Sequence, residues 1–159
     1  MKLYLRMLSL CLGLASLLPA ITAFAVPAND NFDSPAVISG FPLTATGSNV
    51  EATLEANEPL PAGYEFYATK SVWFSWTAPT SGLVQIDTFG SYRCWDPWED
   101  GSCIELDEFH PTPSVWLGDS LETLVGVPCG GTRQSRYLNA VSGTTYRIAV
   151  FGLQNDSYD

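Results

Sequence analysis

Val72, Phe74 and Trp76 alternate with Ser71, Trp73, Ser75 and Thr77. After Pro79-Thr80-Ser81-Gly82 the alternation resumes, with Val84 and Ile86 set against Leu83, Gln85 and Asp87. Successive side chains of a pleated backbone point to opposite sides, so a period of two marks a strand with one face buried. Two such runs joined by a Pro-Thr-Ser-Gly turn commit Ser71–Ser91 to two short β-strands. Trp76 supplies core volume. Trp73, on the opposite face, needs a second explanation, which is either packing or contact with a ligand.

The same rhythm continues along the chain. From Val26 on, helix signals are nearly absent, and Pro, Gly, Ser and Thr punctuate the apolar runs at short intervals. That pattern predicts an all-β domain, a β-sandwich or jelly-roll-like fold of about eight antiparallel strands. The predicted strands are Ala36–Ser39, Asn49–Leu54, Val72–Thr77, Leu83–Thr88, Ser114–Leu117, Thr123–Val127, Ser135–Ala140 and Thr145–Phe151. In the last of these, Tyr146, Ile148 and Val150 face one way and Arg147, Ala149 and Phe151 the other. Two stretches resist assignment. Glu55–Lys70 reads as a long surface loop. Tyr92–Pro113 is a longer one, holding two tryptophans, six carboxylates and two cysteines, and loops of that length usually carry function.

The first 25 residues have the pattern of a secretory signal peptide. Lys2 and Arg6 form the basic end, Met7–Ala23 is apolar, and Ala23-Phe24-Ala25 is a small-x-small cleavage site. The expected mature domain is 26–159, secreted or held at the cell surface, with no membrane insertion after cleavage. Removing Lys2 and Arg6 from seven basic residues leaves five against seventeen acidic ones, a net charge near −12. Such a charge argues against nucleic acid and anionic membrane as partners. Export permits disulfides, and three cysteines remain after cleavage. Cys94 with Cys103 is the expected pair, since both lie in one irregular loop; Cys129 paired with either of them is the alternative.

Seven blocks in order give the mature chain a resemblance. They are Asn29-Asp30-Asn31-Phe32, then Ala36–Gly40, then Gly47–Thr53, then Ser71-Val72-Trp73-Phe74-Ser75-Trp76-Thr77-Ala78-Pro79. Ile86-Asp87-Thr88 with Gly90-Ser91, Val115–Gly118 with Ser120-Leu121, and Gly143–Val150 complete them. Together they resemble the bacterial pre-peptidase C-terminal domain family, β-sandwich modules appended to secreted proteases and large surface proteins. The resemblance implies an accessory module of a larger secreted or surface protein. It also implies a further closing strand of the Gly-x-Phe-x-Leu type, which this sequence lacks, so the domain is expected to be C-terminally incomplete. Two departures bear on metal binding. His110 stands where relatives carry an aspartate, and Gly130-Gly131-Thr132 stands where they carry an acidic run.

Candidate sites follow from residue chemistry. His110 is the single histidine, which leaves serine-triad and histidine-rich metal chemistry without their parts. The chain is therefore read as no enzyme, and a hydrolase is the least supported reading. Calcium is the one cofactor with candidate ligands. Asp96, Asp100 and Asp107 fall on positions one, five and twelve of an EF-hand-like loop, with Gly101 at six, although Trp98 occupies position three. Asp30, Asn31 and Asp33 form a second polar set, which would otherwise cap a turn. Tyr92, Trp95 and Trp98 are the candidate ligand-binding residues, because loop aromatics stack on sugar rings or anchor a protein partner. The expected function is binding or adhesion toward a polysaccharide or an extracellular protein. A structural or secretion-linked spacer without a ligand is the alternative.

Overall fold

The computed structural model describes residues 25–95, 105–108 and 110–153. Over these residues the protein is all-β. The strands are β1 (Ala36–Ile38), β2 (Ala68–Thr77), β3 (Gly82–Asp87), β4 (Tyr92–Trp95) and β5 (Glu105–Glu108), followed by β6 (Thr112–Leu117). A 3₁₀ turn at Leu121–Thr123 then leads to β7 (Val125–Gly126), β8 (Gly130–Gly131), β9 (Ser135–Ala140) and β10 (Thr145–Leu153). Two sheets face each other: a five-stranded one ordered β1-β2-β10-β6-β7 and a three-stranded one ordered β3-β9-β8. The β4–β5 ribbon stands apart as a two-stranded sheet.

The sandwich core lies where the inward rows of both sheets meet. Trp76, Val115, Tyr146 and Ile148 come from the larger sheet, and Val84, Leu138 and Ala140 from the smaller. Burying such side chains contributes roughly 1.5–3 kcal/mol each, which is the main force holding the layers together. Polar contacts fix the ends of this core. The Trp76 indole N–H donates to the Gly40 carbonyl at 3.1 Å, and the Tyr146 hydroxyl accepts the Val141 N–H at 2.9 Å.

The second face of the larger sheet is also covered. Trp73, Ala149, Phe151 and Leu153 pack there with Phe32, and Leu54, Leu60, Tyr64, Trp116, Leu121 and Leu124 close around them. Trp73 is fully buried, with the Phe32 ring edge-on at 5.2 Å and 87°. Packing is therefore the second explanation that Trp73 needed. The covering layer is strapped down by backbone contacts. The Trp73 N–H donates to the Asn29 carbonyl at 2.8 Å and the Ser71 N–H to the Thr53 carbonyl at 3.0 Å.

The strand map departs from the sequence reading in several places. The two opening strands, β2 and β3, are joined by a turn but not paired with each other. The turn at 78–81 carries the chain from one sheet to the other, and it is held by the Gly143 N–H on the Ala78 carbonyl and the Ser142 N–H on Ser81 Oγ. β1 runs parallel to β2, so the strands are not all antiparallel. Asn49–Leu54 is a turn and covering segment rather than a strand: Glu51 has a φ of 59°, Ala52 is buried, and Leu54 packs into the outer layer. Glu55–Lys70 is not a surface loop throughout, because Pro61 within it is fully buried and β2 already begins at Ala68.

Candidate functional site

The strand registers gather one set of loops at a single end of the sandwich. Leu153 pairs with Ala68, Phe151 with Thr112, and Asp87 with Ser135, so the segments 61–67, 88–92, 110–111 and 132–134 all emerge together. Hydrogen bonds and a ring contact join them. Thr88 Oγ1 donates to the Pro111 carbonyl at 2.8 Å and the Thr88 N–H to the Gln134 carbonyl at 3.0 Å. The Arg133 guanidinium sits 6.0 Å from the centre of the Tyr64 ring.

This end displays aromatic rings to solvent. Phe66 is 93 % exposed, Tyr92 64 %, Phe89 60 % and Tyr67 42 %. Rings of this size normally bury most of their surface, so a group of them left in water marks a contact surface more than folding does. At the opposite end the turns 78–81 and 141–144 are built mainly from Ser, Thr, Gly and Pro, with Phe41 the exposed aromatic nearby.

Tyr92, expected as a ligand-binding residue, opens the β4–β5 ribbon at the aromatic end. Trp95 closes β4, opposite Glu105, and Asp107 lies on β5 opposite Arg93. Trp98, Asp96, Asp100 and Cys103 lie outside the described residues, as do residues 1–24 of the leader. The EF-hand-like arrangement and the Cys94–Cys103 pairing therefore fall outside them too. Cys129 is a free thiol, which corrects the alternative that paired it with another cysteine. It packs half-buried against the sandwich core, where burial pushes its pKa up and the Arg136 charge opposes that rise.

The N-terminal polar set is drawn into the fold rather than gathered as a cage. Asp30 is buried, and its two carboxylate oxygens accept the Thr53 N–H at 2.7 Å and the Thr53 hydroxyl at 2.9 Å. Asn31 and Asp33 are exposed, with the Asn31 carbonyl accepting the Ser34 N–H in the turn. Among the described residues, no group of three or more His, Cys, Asp or Glu side chains is placed to hold a metal ion.

Two features went unseen in the sequence. The first is the display of Phe66, Tyr67 and Phe89, whose signal was a run of aromatics in Pro/Gly-rich loops with no alternation around it. The second is a chain of carboxylates under the covering layer. Glu58 accepts the Glu55 N–H at 3.0 Å, and Glu55 in turn accepts the Phe32 N–H. Glu58 is buried, its other oxygen has no hydrogen-bond partner, and its pKa is raised, first by desolvation and further by the charges of Glu55 and Asp30. Ser71 and the Glu55 N–H pull the other way. Among the described residues no helix is long and apolar enough to cross a membrane. No protein-family model, no curated protein and no solved structure matches the chain.

Proposed function

We propose that the protein is an exported, non-catalytic binding module that holds its ligand at the aromatic end of the sandwich. The observation that carries this reading is the grouping of Phe66, Tyr67, Phe89 and Tyr92 in solvent at one end, where the β4–β5 ribbon begins. Flat rings in polar, acidic surroundings stack on sugar rings and repel polyanions, so a neutral polysaccharide is the first ligand class. An extracellular protein is the second, and Phe66 favours it, since a nearly fully exposed hydrocarbon ring suits an apolar pocket on a partner. The resemblance to pre-peptidase C-terminal domains supports an accessory role beside other domains.

The test uses retention on insoluble cellulose, chitin and xylan, read beside thermal melting. The wild type is retained on at least one of them. Tyr92→Ala and the double variant Trp95→Ala/Trp98→Ala lose retention at least tenfold, with melting temperatures within about 2 °C of wild type. Phe66→Ala separates the ligand classes, because it leaves glycan retention unchanged if Phe66 serves only a protein partner. No retention of the wild type on any of the three removes the polysaccharide reading. A melting drop of many degrees in the tryptophan variants assigns those rings to packing.

A further inference from the structure

Among the described residues β3 is an uncovered edge strand, and Asp87 at its end is the one charge on its outer side. The other edges of the two facing sheets are blunt: β1 has three residues and follows Pro35, β7 has two, and β8 is the pair Gly130-Gly131. β3 is six residues long, Gly-Leu-Val-Gln-Ile-Asp, without proline, lysine or a bulge. Natural sheets block long edges with such devices because an unpaired row of N–H and C=O groups templates another strand.

The hydrogen-bonding parity of that edge can be read from its partner. β3 and β9 pair in one register from Gly82–Ala140 to Asp87–Ser135. The Thr88 N–H bond to the Gln134 carbonyl extends it by one residue. Hydrogen-bonded and non-bonded pairs alternate along an antiparallel ladder. Gly82, Val84 and Ile86 therefore direct their backbone groups at β9, and Leu83, Gln85 and Asp87 direct theirs outward. The other side of β9 agrees, since the Thr132 N–H bonds the Ser135 carbonyl, giving the odd-numbered residues of β9 to β8. Leu83, Gln85 and Asp87 are all exposed, and among the described residues no other strand lies beside them.

We infer that this edge is a dimerisation edge, where two copies of the chain pair their β3 strands antiparallel about a two-fold axis at Gln85. The edge is self-complementary in that register. Gln85 meets Gln85 of the second copy, and each Leu83 meets an Asp87, so all three outward residues of both strands find backbone partners. No like charges stand directly opposite one another. On the inner face Val84 lies across from Ile86, which continues the core-facing apolar row through the contact. A register shifted to centre on Val84 leaves Asp87 opposite Ser81, beyond the strand. The two three-stranded sheets thus join into one of six strands. The antiparallel two-fold points the aromatic ends of the two copies in opposite directions, so the dimer presents two binding ends.

Sedimentation of the purified protein at 1–200 µM, roughly the range for a moderate dimer, tests the contact. The wild type dimerises in that range. Gln85→Glu places two carboxylates face to face beside Asp87, and it weakens dimerisation at least tenfold without lowering the melting temperature of the monomer. The register has its own test by oxidative cross-linking. Opposed residues 85 sit about 5.5 Å apart at Cα, within disulfide reach, so Gln85→Cys forms a linked dimer. In the same register two residues 83 lie about 14 Å apart, and Leu83→Cys does not cross-link above the wild-type background. A wild type that stays monomeric at 200 µM overturns the proposal. So does a dimer indifferent to Gln85→Glu, or cross-linking of Leu83→Cys as fast as Gln85→Cys.

Discussion

Glu58 is a carboxyl that the fold tolerates better with its proton than without it. It is 7 % exposed, and only one of its oxygens has a partner. Its folded-state pKa stands above the ordinary 4.5, so the native state binds the proton more tightly than the unfolded chain does. Its stabilising contribution is therefore present below the unfolded value and is lost as pH rises through the folded one. Glu58→Gln removes that loss. The amide oxygen still accepts the Glu55 N–H, and the amide nitrogen gains a donor role toward the neighbouring Ser71 hydroxyl. The variant is expected to be more stable than wild type at pH 7 by about 1 kcal/mol, or roughly 2–4 °C, with the gap closing at pH 4. Thermal melts at the two pH values check it, and a gap of equal size at both would refute it. Tyr92 and the opposite-facing Trp73 were both legible in the sequence as aromatics needing an account. Which was buried was not, because the ring set edge-on against Trp73 is Phe32, far away in the chain.

Elements with strict alternation were legible, and those built from other rules were not. β9 falls at Ser135–Ala140 as the sequence predicts, and β10 runs two residues past its predicted end. Asn49–Leu54 alternates as well, yet its apolar residues serve a covering segment whose φ at Glu51 no regular strand adopts. β4 and β5 lie within a charged stretch whose sequence shows no apolar alternation to announce them. β8 illustrates a strand set by backbone geometry alone. Gly131 has a φ of 125° and lies so close to the Ser135 carbonyl that an added Cβ would run into it, whereas Gly130 has open space. Gly131→Ala should therefore cost about 2–3 kcal/mol, and Gly130→Ala less than about 1 kcal/mol. Denaturant midpoints of the two variants decide this, and equal losses would show that the β8–β9 turn is not the constraint.

At the scale of the whole molecule, β2 and β10 belong to two cores at once. Trp76, Tyr146 and Ile148 face the smaller sheet, while Trp73, Ala149 and Phe151 face the layer built from Phe32, Leu54, Leu60 and Tyr64. A sequence reading with one face of each strand buried expects a single core and leaves the segments before β2 in solvent. Here those segments are structural, because the central strands are apolar on both sides and neither side tolerates water. The two layers should then unfold as one. Leu138→Ala removes volume from the sandwich core and Phe32→Ala from the outer layer, and each is expected to cost about 3 kcal/mol. Since Trp73 reports on the outer layer and Trp76 on the inner, tryptophan fluorescence and far-UV circular dichroism should give coincident transitions for wild type and for both variants. If the covering layer were only draped over the sheet, Phe32→Ala would leave the circular dichroism transition in place. Its fluorescence change would then come earlier, splitting the two curves. Coincident curves with lowered midpoints in both variants mean that the segment 29–67 is part of the fold's cooperative unit. The aromatic tip at 64–67 is then held on a rigid support, as the proposed binding end requires.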